Sequence, residues 1–154
     1  MLKITKSEVV NDDMVECVCE YGNAPLRAIA GRARKEGKFR EFRSRYGIKT
    51  LAMMDDGFVV LAPFRTNTYV ERLDQDKFLV ADPNRYAFRK SAVREIASKL
   101  NAQQRRDVKD AKANGTFVNL VGNKPAKYYV FAVSGRIYAI RYMKEDLTGG
   151  GESK

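Results

Sequence analysis

Apolar and polar residues alternate along 14–20. Val15, Cys17 and Cys19 fall on one side and Glu16, Val18 and Glu20 on the other, the period-two pattern of a half-buried strand. Leu2–Thr5 is a shorter stretch of strand character. Gly22-Asn23 ends the alternation, and the period then lengthens. Asn23 is a good helix N-cap, Pro25 suits the first turn, and Leu26, Ile29, Ala30 and Ala33 recur at helical spacing until Gly37, a natural stop. Phe39–Arg45 reads as a strand, although Phe39 and Phe42 also fit helical spacing, and Tyr46-Gly47 marks a turn. Leu51–Met54 and Phe58–Ala62 flank Asp55-Asp56-Gly57, which predicts a hairpin with an Asp-Gly turn of type I′. Thr66–Leu73 reads as a short helix capped by Thr66, and Asp74–Lys77 as a polar link. The order is β-β-α-β-β-β-α.

The same pattern then returns at an offset of 78 residues. Asn23-Ala24 and Arg27 recur as Asn101-Ala102 and Arg105, Ala33-Arg34 as Ala111-Lys112, and Gly37, Phe39, Lys49 and Gly57 as Gly115, Phe117, Lys127 and Gly135. No gap is needed from Asn23 to Phe64. A period this long indicates a duplicated small domain rather than an array. In the second copy Val93–Ser98 takes the place of the first strand, although Lys90–Leu100 fits a helix as well. Asn101 caps a helix through Ala113, Asn114-Gly115 ends it, Thr116–Val121 is a strand and Gly122–Pro125 a turn. Tyr128–Val133 and Arg136–Tyr142 flank Ser134-Gly135 as a second hairpin. The expectation is an α+β protein of two related modules, residues 1–75 and 76–147, each a mostly antiparallel sheet with one main helix, and a disordered tail at 148–154. A module of this size has little core of its own and favours packing on a neighbour.

Charge sharpens this picture. The chain carries a formal +10, and it is unevenly placed. Residues 27–49 hold nine Lys/Arg against two acids and residues 85–112 nine against three, while the first 22 residues are acidic on balance. Positive clusters that recur at matching places in a repeat point to a polyanion, most often nucleic acid. There is no apolar run of transmembrane length and no signal-peptide pattern. Cys17 and Cys19 share one face of a strand, too close in sequence to bridge, and read as small core residues in a reducing, cytoplasmic setting.

Candidate chemistry is sparse. With no histidine and only two thiols, the commonest general base and a typical zinc site are both missing. No cofactor, metal or small-molecule substrate is implied, and no enzyme. Asp55-Asp56 could hold a cation, but a tight turn accounts for the pair. The basic positions remain: Arg27, Arg34, Lys38, Arg40, Arg43, Arg45 and Lys49 in the first copy, and Arg105, Arg106, Lys112, Lys124 and Lys127 in the second. Such side chains mostly neutralise phosphates, and Arg43 or Arg45 could also reach base edges. Tyr46 lies beside this patch and suits a packed turn better than a stacked base.

Ala24-Pro25-Leu26-Arg27, Ala33-Arg34-Lys35-Glu36-Gly37, Tyr46-Gly47, Thr50, Met54-Asp55 and Val59-Val60-Leu61 together resemble the RemA family of bacterial regulators of extracellular-matrix and biofilm genes. Residues 110–115, with the hairpin around Gly135, resemble a second, diverged copy. The resemblance implies a cofactor-free, double-stranded DNA-binding transcription regulator that forms ring-like homo-oligomers. The family's basic pair after Tyr-Gly falls on Ile48-Lys49, with Lys124 and Lys127 nearest in the second copy, and its Asn-Arg pair falls on Asp12-Asp13. Two other readings stand beside it: an assembly protein whose charge is incidental, and an RNA-binding protein.

Overall fold

The computed structural model describes residues 2–3, 9–42 and 47–143. Arg43, Arg45, Tyr46 and the tail 148–154 lie outside the described residues. The first unit begins with a small antiparallel pair, β1 (Leu2–Lys3) and β2 (Val9–Val10), and a 3-10 turn at Asp12–Met14. It continues with β3 (Val15–Glu20), α1 (Ala24–Lys35), β4 (Phe39–Glu41), β5 (Thr50–Met54), β6 (Val59–Ala62) and α2 (Thr66–Arg72). The second runs β7 (Phe78–Asp82), β8 (Tyr86–Arg89), a 3-10 turn at Lys90–Ala92, β9 (Val93–Ala97), α3 (Ala102–Asn114), β10 (Phe117–Asn119), β11 (Tyr128–Ala132) and β12 (Ile137–Ile140).

From the first 3-10 turn to β6, each element of the first unit returns 78 residues later, and the pairing returns with it. β4 runs parallel to β6, with Phe39 opposite Val59, as β10 runs parallel to β12, with Phe117 opposite Ile137. β5 and β11 are antiparallel to those partners, with Met53 opposite Val59 and Phe131 opposite Ile137. Even the irregularity recurs. The β3–β5 ladder skips Glu16 and the β9–β11 ladder skips Arg94, so a bulge sits at the same place in both copies. The fold is α+β with two sheet-centred units.

The repeat extends to the leading strands, which the alternation of the sequence did not disclose. β7 and β8 stand to β9 as β1 and β2 stand to β3. Yet β8 pairs with β3, so the hairpin that opens the second unit completes the sheet of the first. The result is a six-stranded sheet in the order β4-β6-β5-β3-β8-β7 and a four-stranded sheet in the order β10-β12-β11-β9.

The two sheets pack face to face over a shared core. Cys17, Cys19, Leu51, Met53, Val59 and Leu61, with Leu26, Ala30 and Ala33 of α1, meet Ile96, Val118, Val130, Tyr138 and Ile140. α2 covers the opposite face of the six-stranded sheet with Tyr69 and Val70, helped by Leu73. α3 covers the outer face of the four-stranded sheet with Val108 and Ala111 over Phe131 and Ile137. Residues 15–19 of β3 are consequently buried on both faces, and the half-buried strand expected from its alternation is corrected: α2 covers the side carrying Val15 and Val18, while Glu16, displaced by the bulge, meets Ser134, Arg136 and Tyr138 of the second unit.

Local expectations fare unevenly. Asn23 Oδ1 accepts from Leu26 N at 2.9 Å, and Asn101 Oδ1 from Gln104 N at 2.8 Å while Gln104 Oε1 accepts from Asn101 N, a full capping box. Residues 93–97 form a strand because β11 offers them a ladder; the helical alternative survives only as the turn at Lys90–Ala92. Thr66 is not a cap: it lies inside α2, and its hydroxyl meets that of Thr50 at 2.9 Å in the interior. The hairpin turns are not type I′ either. No described residue other than glycine has positive φ, so Gly57 (φ +91°) and Gly135 (φ +99°) each close a turn whose preceding residues keep negative φ.

Candidate nucleic-acid interface

α1 starts at one end of the sheets and finishes at the other, and this separates the basic residues into two groups. At the finishing end, Arg34 lies over the Phe39 ring at 4.6 Å and Lys112 over the Phe117 ring at 4.9 Å, one cation–π pair built twice. Arg34 also pairs with Glu41 at 3.3 Å, and Lys38 donates to the Asp56 carbonyl at the hairpin tip at 3.4 Å. Arg40, exposed on β4, lies over Phe42 at 4.9 Å. At the helix starts, Arg27 and Arg105 repeat one another too: each is exposed and donates to a backbone carbonyl just before its helix, Gly22 and Leu100 respectively. Arg106 is exposed on α3 and donates to Gln103. These residues brace caps, rings and turns, and the structure does not gather them into one surface.

At the starting end the arrangement differs. The loops before β5 and before β11 carry Lys49 and Lys127, the repeat-equivalent lysines. The Lys49 N–H donates to the Ala62 carbonyl at 3.0 Å and the Lys127 N–H to the Ile140 carbonyl at 2.9 Å, so each backbone is anchored on the strand beside it. Lys127 lines an open cleft of about 810 Å3 together with Lys124, Arg85, Arg141 and Tyr142. Lys49 lines a second cleft of about 450 Å3 with Arg65. The two clefts share Glu20 and Asn84 and therefore abut. Six cations thus face two carboxylates, Glu20 and Asp82, and Asp82 already lies 3.9 Å from Arg85.

Arg65, Arg85, Arg141 and Tyr142 did not emerge from the sequence as site residues. Arg65 and Arg141 follow the repeat-equivalent strands β6 and β12, and Arg85 lies in the β7–β8 turn, so only the folded chain joins them to the lysine loops. The wall of the larger cleft is firmly held. The buried Tyr86 hydroxyl accepts from the backbone N–H groups of Tyr142 (2.9 Å) and Arg141 (3.3 Å) and donates to the Tyr142 carbonyl (3.1 Å). Burial pushes the Tyr86 hydroxyl above its usual pKa, against the opposing pull of those backbone bonds, which keeps it a donor. The Tyr142 side chain, by contrast, is half exposed at 51%.

What holds Lys49 and Lys127 at one end is the contact between the units. The Glu16 carboxylate, 1% exposed, sits in the bulge of β3. It accepts from Ser134 Oγ at 2.5 Å, from Arg136 Nε at 2.7 Å and from the Tyr138 hydroxyl. Arg136 also donates to the Met54 carbonyl at 2.7 Å. A second bridge, Arg89 to Asp55 at 2.7 Å, ties the hairpin of the second unit to the tip of the first. Burial disfavours the Arg136 charge, but its interactions with Glu16 and Tyr138 together outweigh it and its pKa rises. Burial first, then the negative charges around it, push Tyr138 well above the usual tyrosine value. A third contact, Arg32 Nη1 to the Gly115 carbonyl at 2.8 Å, pins α1 to the end of α3.

Among the described residues no group of acidic, histidine or cysteine side chains could hold a metal ion, and no helix is long and apolar enough to cross a membrane. No family model matches the sequence, and no curated protein matches it.

Proposed function

We propose that this protein binds double-stranded DNA through the end of the molecule that carries Lys49 and Lys127, acting in the cytoplasm as a non-enzymatic transcription regulator or DNA-organising factor. One observation carries the reading: duplication brings two equivalent lysine loops to one end, where Arg65, Arg85, Lys124 and Arg141 extend them into a basic surface over two adjoining clefts. Cations so arranged suit a run of phosphates, whose affinity comes from counterion release. Likeness of the first unit to the RemA family points the same way, and with it comes self-association, which would multiply such surfaces along DNA.

The test is a salt series with duplex DNA on the Lys49→Ala, Lys124→Ala, Lys127→Ala variant. Affinity should fall, and the log–log salt slope should become shallower by roughly 0.9 for each phosphate no longer neutralised. The Arg34→Ala, Lys112→Ala variant, altered at the other end, should keep both slope and affinity. Equal effects from the two variants, or none from the first, would overturn this surface. Tighter binding to single-stranded RNA that depends on Tyr142 would favour an RNA-binding protein instead.

A further inference from the structure

The shared sheet has a consequence at the two ends of the chain. Each unit opens with a hairpin, and the hairpin of the second unit does not complete its own sheet. β8 instead pairs with β3 of the first unit, with Cys17 opposite Phe88 and Val18 opposite Ala87. A unit that lends its opening hairpin to the one before it leaves one lender and one borrower unmatched. In this chain the lender is β1–β2, which forms a two-stranded sheet of its own with β1 beside α2. The borrower is β9, the repeat-equivalent of β3. It is a terminal strand of the four-stranded sheet, pairing with β11 alone among the described residues.

We propose that β9 takes the β1–β2 hairpin of a second copy of this chain, in the manner in which β3 takes β8. Rooted in the self-association part of the reading above, the proposal names the surface. The occupant follows from the repeat: the described residues contain one hairpin of this type not already in a larger sheet and one β3-type edge without a hairpin. Unpaired sheet edges readily recruit strands. Moving the β3–β8 register by one repeat sets Val10 of one copy opposite Glu95 of its neighbour, and Val9 opposite Ile96. The Glu20 N–H donates to the Arg85 carbonyl at 2.7 Å, so the 17–88 pair farther along the same ladder is a non-hydrogen-bonded pair, where side chains approach most closely. The 10–95 pair inherits that geometry. The contact is head-to-tail, so it repeats from chain to chain and builds closed rings or open chains. It is narrower than the contact within the chain. The face of the first unit that corresponds to the packed face of the second is already covered by α2, which leaves strand pairing as the main attachment.

Paired cysteines test this. Val10→Cys and Glu95→Cys chains, mixed and oxidised, should give one disulfide-linked two-chain product, whereas a single chain carrying both should give a ladder of multimers on a non-reducing gel. Native Cys17 and Cys19 are buried and stay out of reach. Three results would overturn the proposal: no linked product although both variants keep the native circular dichroism; a Glu95→Cys chain that links to itself; or a doubly substituted chain that closes on itself as a monomer. Duplex binding measured on the same samples separates the two claims. Loss of cross-linking with DNA binding intact sinks the interface alone, and cross-linking without DNA binding sinks only the proposed function.

Discussion

Glu16 concentrates the coupling between the two units in one side chain. Its carboxylate answers three donors from β12 and the hairpin before it, and Arg136 pairs with no other carboxylate among the described residues. Removing one member of a buried pair strands the other. Glu16→Gln should therefore destabilise the protein by about 3 kcal/mol, and Tyr138→Phe by about 1–2 kcal/mol for the missing hydrogen bond, both read from urea unfolding. The alkaline limb follows from burial. Cys17, Tyr69, Tyr86 and Tyr138 all have raised pKa values in the fold, each chiefly through burial. A raised value means the folded state holds its proton longer. The stability it contributes is full below the unfolded pKa, about 8.5 for cysteine and 10 for tyrosine, and falls as the pH climbs from there toward the folded value. Unfolding measured between about pH 8 and 11 should show that decline, and Tyr138→Phe should flatten its upper part.

At the scale of elements, the two helix ends make a matched experiment. Gly37 (φ +74°) and Gly115 (φ +76°) follow equivalent helices in the left-handed conformation. A methyl group on Gly37 would meet nothing within 4 Å, whereas one on Gly115 would come within 2.6 Å of Arg32 Nη1. Gly37→Ala should cost about 1–2 kcal/mol for backbone strain alone. Gly115→Ala should cost more, because it also displaces the guanidinium that joins α1 to α3, and the difference is measurable by thermal denaturation. Elements of this kind were legible beforehand, since Asn23, Asn101, Gly37 and Gly115 act within one turn of chain. Both main helices, the strands around Gly57 and Gly135 and the duplication itself could be read from local spacing. The pairing of β8 with β3 could not, because nothing near Tyr86 or Phe88 encodes a partner so far away along the chain. Glu16 misled for the same reason: alternation assigned it to the surface, while the donors that make its burial tolerable lie at Ser134, Arg136 and Tyr138. The site was half legible. Lys49, Lys124 and Lys127 could be chosen by charge and repeat, but Arg65, Arg85 and Arg141 join them only through topology.

For the whole molecule, the shared core predicts that the halves do not stand alone. Residues 1–75 by themselves would expose Cys17, Cys19, Leu51, Met53 and Leu61, now covered by the second sheet, together with the bare edge of β3. That fragment should aggregate or remain poorly folded, while the full chain should unfold in a single calorimetric transition. Two transitions, or a stable monomeric fragment, would mean that the interface contributes little. The distribution of charge belongs to this scale as well. On the proposed surface, deleting the lysines of one loop should weaken duplex binding less than deleting both, because the proposal gives each loop phosphate contacts of its own.

Duplicated units face an ordering problem, and the bulge bears the answer. Position 16 is an acid in the first copy and its counterpart, Arg94, a base in the second; position 136 is a base whose counterpart is Phe58. Only one of the possible pairings satisfies the charges. A second unit packed on another second unit would set Arg136 against Arg94, two cations at close quarters. A first unit packed on another first unit would bury Glu16 against Phe58, with no donor for its carboxylate. The two halves thus carry sender and recipient addresses written in a single charge, and during synthesis on crowded ribosomes the correct neighbour is the one already tethered to the same chain.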